Sequence, residues 1–577
     1  MSGNSSVANF FRASAEDFKK IPGSPVAYWV SDQMRRIFDS GKVLKEIGDT
    51  RQGMATSDNN RFLRFWTEVS YKRSCLDAKT REDAAESSKK WFPYNKGGDF
   101  RKWYGNSEFV VNWENNGKEL LNYAASLYGS PTRTIKSISE YFKPCVSWSK
   151  ISSANIAMRF YPEGYLFDVA GCCIFSTKQT DLMFLLGYSN TIMVRKLLSS
   201  ISPTLNFEAG HIASLPILEL NRAEFANIPI KLLNRAKSDW DSYETSWDFT
   251  DLPLLRQEYR KSNLEETYKT LRSHWQDMTL EMQRLEEKNN CIFIEAYGLQ
   301  DELTPEVPLE EITLTCNPHY RYGGRKSDAE LEALLLADTM REYISYAVGC
   351  IFGRYSLDKP GLVLANAGEG IDEYLEQVPN PSFMPDRDGI LPVTEEDDFP
   401  DDLAGRFRDF LKLTFGEKHF LTNLRFVEEA LGKDIRSYFL RDFYKDHVRR
   451  YKNRPIYWMI SSPKGSFRCL IYLHRYTRNT VGLFLDNYLR PYQRKLEAKE
   501  QNLEHTIVSP SAGTAEKART RKLQEKLRGV KNELELWQRD VVYPLATQRI
   551  DLDLDDGVRV NYGKLGLVLE KVKGLNG

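Results

Sequence analysis

Apolar positions fall into two distinct rhythms along the chain. Leu264, Tyr268, Leu271, Trp275, Met278, Met282 and Leu285 recur at alternating steps of four and three. That spacing predicts a helix of about eight turns with one continuous apolar stripe. Ser262-Asn263-Leu264-Glu265 stands just before it and reads as a capping box. A second helical rhythm spans 483–543. Leu485, Leu489, Tyr492 and Leu496 mark one arm, and Leu523, Leu527, Val530, Leu534, Trp537 and Val541 the other. Ser509-Pro510-Ser511-Ala512-Gly513 is the polar break between them, so this region reads as a helical hairpin. Pro491 lies inside the first arm and predicts a kink there or a helix that starts after it.

The other rhythm is short and strand-like. Phe109-Val110-Val111-Asn112-Trp113 and Leu166-Phe167-Asp168-Val169-Ala170 sit between turn signals in a region rich in Gly, Asn, Ser and aromatics. The expected fold class is α+β: a mixed first domain, then mostly helical domains with long coiled-coil-like helices. Residues 1–24 end in a Pro/Gly cluster and read as a linker. Residues 25–222 form the mixed domain, 223–290 a long-helix connector, 291–475 a second globular region, and 476–577 the hairpin and tail. The acidic stretch Glu395-Glu396-Asp397-Asp398-Phe399-Pro400-Asp401-Asp402 reads as a solvated loop or linker.

Composition narrows the class. At 577 residues the chain exceeds what one hydrophobic core usually supports, so two to four domains are expected. Hydrophobic residues make up 41% and charged residues 28%, as in ordinary globular proteins. No apolar run has the length of a membrane span, and the first residues lack a signal-peptide core, so a cytoplasmic protein without a membrane partner is expected. Eight cysteines occur without a C-x-x-C pair, which predicts reduced and mostly buried thiols. The net charge is zero but uneven. Residues 1–222 hold 29 Lys and Arg against 22 Asp and Glu, leaving 51 against 58 for the remainder of the 80 and 80. A basic first part is compatible with a polyanionic partner.

Catalytic motifs are sparse. An N6-adenine methyltransferase presents its flipped base on an Asn-Pro-Pro-Tyr type of loop and seats its cofactor on a Gly-rich turn after a strand. Asn380-Pro381-Ser382-Phe383 has Ser in place of the second Pro, and Ala367-Gly368-Glu369-Gly370 lacks the strand–helix frame. No Walker loop occurs. Cys316 and His319 have no second pair at zinc spacing, and the stretch 551–562 has Asp556 and Tyr562 where a calcium loop needs Gly and Glu. No catalytic residue, metal site or cofactor site is assigned to this chain.

Binding chemistry is denser, especially before residue 222. The loop 51–61 offers Arg51, Gln52, Thr56, Asn59, Asn60 and Arg61, and Gln, Asn and Arg make bidentate contacts to adenine and guanine edges. On its own it reads more readily as a turn with local hydrogen bonds. The stretch 91–105 sets Tyr94, Lys96, Gly97, Gly98, Arg101 and Trp103 among further aromatics. Such a stretch fits base stacking and phosphate contact, or a small aromatic core with a Gly-Gly turn. Trp148, Lys150 and Ser152 in 148–153, and Asn206 in 203–210, add hydroxyls, amides and a cation. The basic segment 445–458 fits phosphate contact or a solvated helical face.

Taken in order, these segments resemble PglX, the adenine-specific methyltransferase family of BREX type 1 phage-defence systems. The resemblance rests on Ile21-Pro22-Gly23-Ser24-Pro25, the segments 51–61, 91–105, 148–153, 206–216 and 438–458, Trp240-Asp241-Ser242-Tyr243-Glu244-Thr245-Ser246-Trp247-Asp248-Phe249, the segments 297–307 and 345–357, and Asp555-Asp556-Gly557-Val558-Arg559-Val560-Asn561-Tyr562. It covers about residues 20–570. The family chain is about twice as long, and its front half carries the S-adenosylmethionine fold and the catalytic loop. The resemblance therefore implies a C-terminal half inactive alone, with 25–222 as a target-recognition domain and later domains closing around DNA. The implied partners are double-stranded DNA, the N-terminal methyltransferase half and other BREX proteins. S-adenosylmethionine would be used only by the complete enzyme. The competing expectations are a protein-interaction scaffold or inactive remnant, and an autonomous enzyme whose motifs are unrecognised.

Overall fold

In a computed structural model, residues 14, 16, 19–26, 28–152, 155–202, 204–511 and 513–575 are described. Ser153, Pro203 and Ala512, quoted above within loop segments, lie outside them. The fold is α+β, with many helices and small sheets. The chain forms two compact units. One comprises 1–63, 73–241 and 273–331, and the other 64–72, 242–272 and 332–577. No described helix is long and apolar enough to cross a membrane.

In the first unit the strands Asp49–Arg51, Gly171–Phe175, Cys145–Ser149 and Met158–Tyr161 lie side by side in that order, all antiparallel. Gly-Cys-Cys-Ile-Phe is buried throughout because this strand is covered on both faces. A second sheet carries the strands Phe109–Asn112, Trp91–Asn95 and Leu166–Phe167 in sequence, the last pair parallel. The apolar run 166–170 is thus a strand only at Leu166 and Phe167. At Asp168 the chain turns, with the Gly171 N–H donating to the Asp168 carbonyl.

The two sheets nearly touch at one end. A Cβ on Gly171 would stand 2.6 Å from the Asn95 carbonyl oxygen, and one on Gly53 would stand 1.9 Å from that of Phe167. Only glycine permits these approaches. Asn95 Nδ2 donates to Ser147 Oγ at 2.7 Å, and Ser147 Oγ donates to the Cys172 carbonyl, so the junction is a satisfied polar seam. The helix Gln179–Ser189, buried from Asp181 onward, joins the core. All eight cysteines are free, six of them buried. Burial and the neighbouring Cys173 push the Cys172 thiol up to about 12.

The predicted heptad stripe is the helix Leu264–Ala296, with Leu264, Tyr268, Leu271, Trp275, Met282 and Leu285 buried. Its cap differs from the expected one. Asn263 Oδ1 accepts the Glu266 N–H at 2.9 Å, and Ser262 instead donates its hydroxyl to the Glu266 carboxylate. Asn caps at least as well as Ser, so the capping residue sits one position later.

The second unit is built on the strands Ile390–Pro392, Arg468–Tyr472 and Tyr457–Ser461, the middle one central. The hairpin is formed by Arg490–Val508 and Thr514–Trp537, with the break where the sequence predicts it. Pro491 sits in the first turn of its arm, directly after a π-helical stretch, Phe484–Leu489. Pro544 follows another, Gln538–Val542, in the same way. The wider π turn removes the clash with the preceding carbonyls, so the helical path continues through both prolines.

The acidic stretch is a loop with Glu395, Glu396 and Asp397 exposed, as predicted, and it is pinned at several points. Asp402 caps the helix Leu403–Phe415, and Arg436 pairs with both Asp397 and Asp402. Lys499 of the hairpin pairs with Glu396 at 2.7 Å, and Phe399 lies among the rings of Phe467, Tyr488 and Tyr492. The basic segment 445–458 is divided, with Lys445, Arg449 and Lys452 exposed and 455–458 buried. Arg450 pairs with Glu244 at 2.8 Å, and the buried His447 accepts the Ile456 and Tyr457 N–H groups.

Candidate nucleic-acid interface

Strand direction gathers several loops at one end of the first unit. The strand Asp49–Arg51 is antiparallel to Gly171–Phe175, so Arg51, facing Cys173, leaves the sheet near the start of that strand. The strand Cys145–Ser149 is antiparallel to it on the other side, with Ser149 facing Gly171. Trp91–Asn95 runs parallel to Leu166–Phe167, so 96–98 and 168–170 emerge together. Arg51, Gln52, Lys96, Gly97, Gly98, Lys150 and Ser152 therefore occupy one rim, although they are scattered over a hundred positions in sequence.

A paired tip rises from that rim. Ile151 and Asn206 face each other in an antiparallel bridge. The Phe207 N–H donates to the Lys150 carbonyl at 2.7 Å, and the Ser152 N–H donates to the Leu205 carbonyl at 3.1 Å. Below them the buried Trp148 donates its Nε1 proton to the Phe207 carbonyl at 2.8 Å. Ser152 Oγ donates to the Asn155 carbonyl.

Glu208 is the hub. Lys150 Nζ lies 2.9 Å from Oε1, Gln52 Nε2 donates to Oε2 at 2.9 Å, and Asn206 Nδ2 donates to Oε1 at 3.2 Å. The Lys150 hydrogen bond holds the half-buried Glu208 carboxyl below the usual carboxylate range. Three donors that could meet a base or phosphate are thus already oriented by one carboxylate. Sequence reasoning did not single out Glu208. Its only signal was a carboxylate two positions after a candidate Asn.

Asp168 is a second organiser. It accepts from Lys96 Nζ at 3.1 Å, from Tyr94 Oη at 2.8 Å and from its neighbour's N–H at Ala170. Tyr94 is fully buried, and burial together with Asp168 raises its hydroxyl far above the usual range, so it stays a proton donor. Gly98, exposed, exchanges hydrogen bonds with Ser149 Oγ at 3.0 and 2.8 Å. Gly97 and Gly98 both have positive φ, which the close turn requires.

The remaining candidates lie elsewhere. Thr56, Asn59, Asn60 and Arg61 belong to the short helix Asn59–Phe62 and its lead-in, where the buried Thr56 donates to Asn59 Oδ1 at 2.7 Å. Arg61 is exposed, bonded to Glu119 at 2.9 Å and lying over the Tyr123 ring at 4.9 Å. Arg101 and Trp103 are interior. Arg101 pairs with Asp239 at 2.7 Å and donates to Thr315, and Trp103 Nε1 donates to Glu286 at 2.7 Å beside the buried Lys102–Glu286 pair. These contacts fasten the loop to the helices Asn227–Trp240 and Leu264–Ala296. Of the two readings open for 91–105, the aromatic core describes its Trp91, Phe92, Tyr94, Trp103 and Tyr104, while Lys96 and Gly98 stay at the rim.

Two curated relatives align with almost the whole chain. It is 34% identical over 576 residues to the adenine-specific methyltransferase PglX of Lacticaseibacillus casei (strain Zhang), covering 97% of this chain and 46% of the relative. The chain is a homologue of these adenine-specific methyltransferases. It is also 35% identical over 580 residues to the adenine-specific methyltransferase BrxX of Escherichia coli O9:H4 (strain HS), again covering 97% of this chain and 46% of the relative. It therefore spans about half the length of the PglX and BrxX chains it matches. No family model matches it.

Proposed function

We propose that this chain provides DNA recognition for a site-specific N6-adenine methyltransferase of the BREX type. The observation that carries the reading is the rim itself. Arg51, Gln52, Lys96, Gly98, Lys150, Ser152 and Asn206 bring amides, cations, a hydroxyl and an approachable backbone to one end of a rigid sheet. Amide side chains read adenine edges, and cations take guanine edges or phosphates. Glu208 holds the donors in place before DNA arrives, and duplex contact exchanges that carboxylate for base edges and phosphates. Tyr94 and Trp148 support the loops from inside, while Thr56, Asn59, Asn60 and Arg61 lie away from the rim. Methyl transfer and S-adenosylmethionine binding fall to the catalytic half that completes such an enzyme, and other BREX proteins are further partners of the complete system.

The test is a titration of the purified chain with mixed-sequence duplex DNA across a salt series, read by fluorescence anisotropy. Binding that weakens steeply with salt is expected. Replacing Arg51 and Lys150 together by Ala should flatten the log–log salt slope by about 2, near 0.9 for each phosphate that is no longer neutralised. An absence of duplex binding at low salt would overturn the reading.

A further inference from the structure

The helical hairpin of the second unit carries charge in two different ways. Along its lower part cations meet carboxylates: Lys499 pairs with Glu396, and Arg528 and Lys531 share Glu500. Toward the tip that matching stops. The stretch 517–528 of the arm Thr514–Trp537 holds six Lys and Arg against one carboxylate, Glu525. Among the described residues, Lys517, Arg519, Arg521, Lys522 and Lys526 have no ion-pair partner.

Helical spacing sorts these cations. Thr520 and Gln524 are the buried positions of this half of the arm. Arg519, Lys522 and Lys526 recur at steps of three and four on the side turned away from them, and all three are exposed. At a rise of about 1.5 Å per residue the row is roughly 10 Å long. One strand of duplex DNA advances about 3.4 Å along the axis per phosphate, which sets about three phosphates against three cations. Gly529 continues the same side. A Cβ there would meet nothing within 4 Å, so packing does not call for glycine, although glycine weakens a helix interior. Ala515 and Ala518 stand at the other end of the row. The cations thus project from among residues too small to hold a phosphate backbone away. A single exposed aliphatic, Leu523, lies beside them, and one such anchor holds neither a membrane-lying helix nor a protein interface.

We propose that Arg519, Lys522 and Lys526 form a second DNA contact, which takes phosphates along one strand of the duplex and reads no sequence. This rests on the DNA-recognition reading above and adds to it a contact on the unit that does not carry the rim. Phosphate contacts fix position and carry no base information, so the hairpin raises affinity while the rim sets preference.

The experiment is an anisotropy titration across salt on several duplexes of different sequence, with the full chain and with Arg519→Gln/Lys522→Gln/Lys526→Gln. A control, Lys418→Gln/Lys571→Gln/Lys573→Gln, removes the same charge from three other exposed positions of the same unit. Circular dichroism and urea unfolding verify the fold of both variants. The hairpin variant is expected to flatten the log–log salt slope by between about 2 and 3, near 0.9 for each phosphate released, and to weaken binding by the same factor on every duplex. The control is expected to keep the slope of the unsubstituted chain. An unchanged slope in the hairpin variant, an equal loss in the control, or a loss that differs between duplexes would overturn the hairpin contact and leave DNA recognition standing. No duplex binding by the unsubstituted chain would overturn both.

Discussion

Carboxylates decide much of this molecule residue by residue, and their roles follow from what faces them. Glu208 stays charged at the rim because Lys150 bonds to it. Asp386 has the opposite environment. Burial first, and then the neighbouring Asp388, lift its pKa to about 7. Its folded pKa lies above the ordinary value of 3.8, so the stability it contributes is full below about 4 and is lost as pH rises toward 7. The loss reaches roughly 4 kcal/mol if the group acts alone. His474 works against it. Burial lowers its pKa to about 3, so its contribution is lost as pH falls below 6.5. Asp386→Asn isolates the first effect, since an amide oxygen can still accept the Gly389 N–H that Asp386 accepts at 2.6 Å. In urea unfolding, the stability advantage of this variant should grow between pH 4 and pH 7. An advantage independent of pH would show that Asp386 does not titrate in this window.

Among the elements, the long helices were legible and the way they are held was not. A stripe repeated every three or four residues is local information, and it marks Leu264–Ala296 and both hairpin arms. The π turns before Pro491 and Pro544 left no such mark, since they are a backbone response to the proline and not a side-chain pattern. Nor could the acidic stretch 395–402 be read as an anchor, because its partners Arg436 and Lys499 lie far along the chain. The ambiguity of 91–105 has the same origin. Arg101 and Lys102 look like surface cations until Asp239 and Glu286, 138 and 184 residues away, turn out to bury them. The Lys102–Glu286 pair gives an element-level prediction. Glu286→Leu strands a buried ammonium and deprives Trp103 Nε1 of its acceptor, and should cost about 3–5 kcal/mol in urea unfolding. Adding Lys102→Met should recover most of that stability. A double variant as unstable as the single one would mean that the pair is not what fastens this loop to the helix.

For the whole molecule, the two units differ in what they contribute. The second is a helical body around a small sheet, with a hairpin pinned by the acidic anchor. The first carries the rim, and its candidate contacts were recognisable as residue types but not as a site. Loops at 51–52, 96–98, 150–152 and 206 meet only because strand order and direction bring them to one end, and pairing of this kind is non-local. Homology to the adenine-specific methyltransferases PglX and BrxX extends over nearly the whole chain, and recognition is the role proposed for the rim. Recognition, as distinct from general affinity for polyanions, is the central claim, and selection from a pool of randomised duplexes tests it most directly. The account predicts that duplexes retained by the chain converge on one short sequence, with Gln52→Ala and Asn206→Ala each relaxing the preference at a position within it. A retained pool as random as the input, from a chain that still binds DNA, would contradict it.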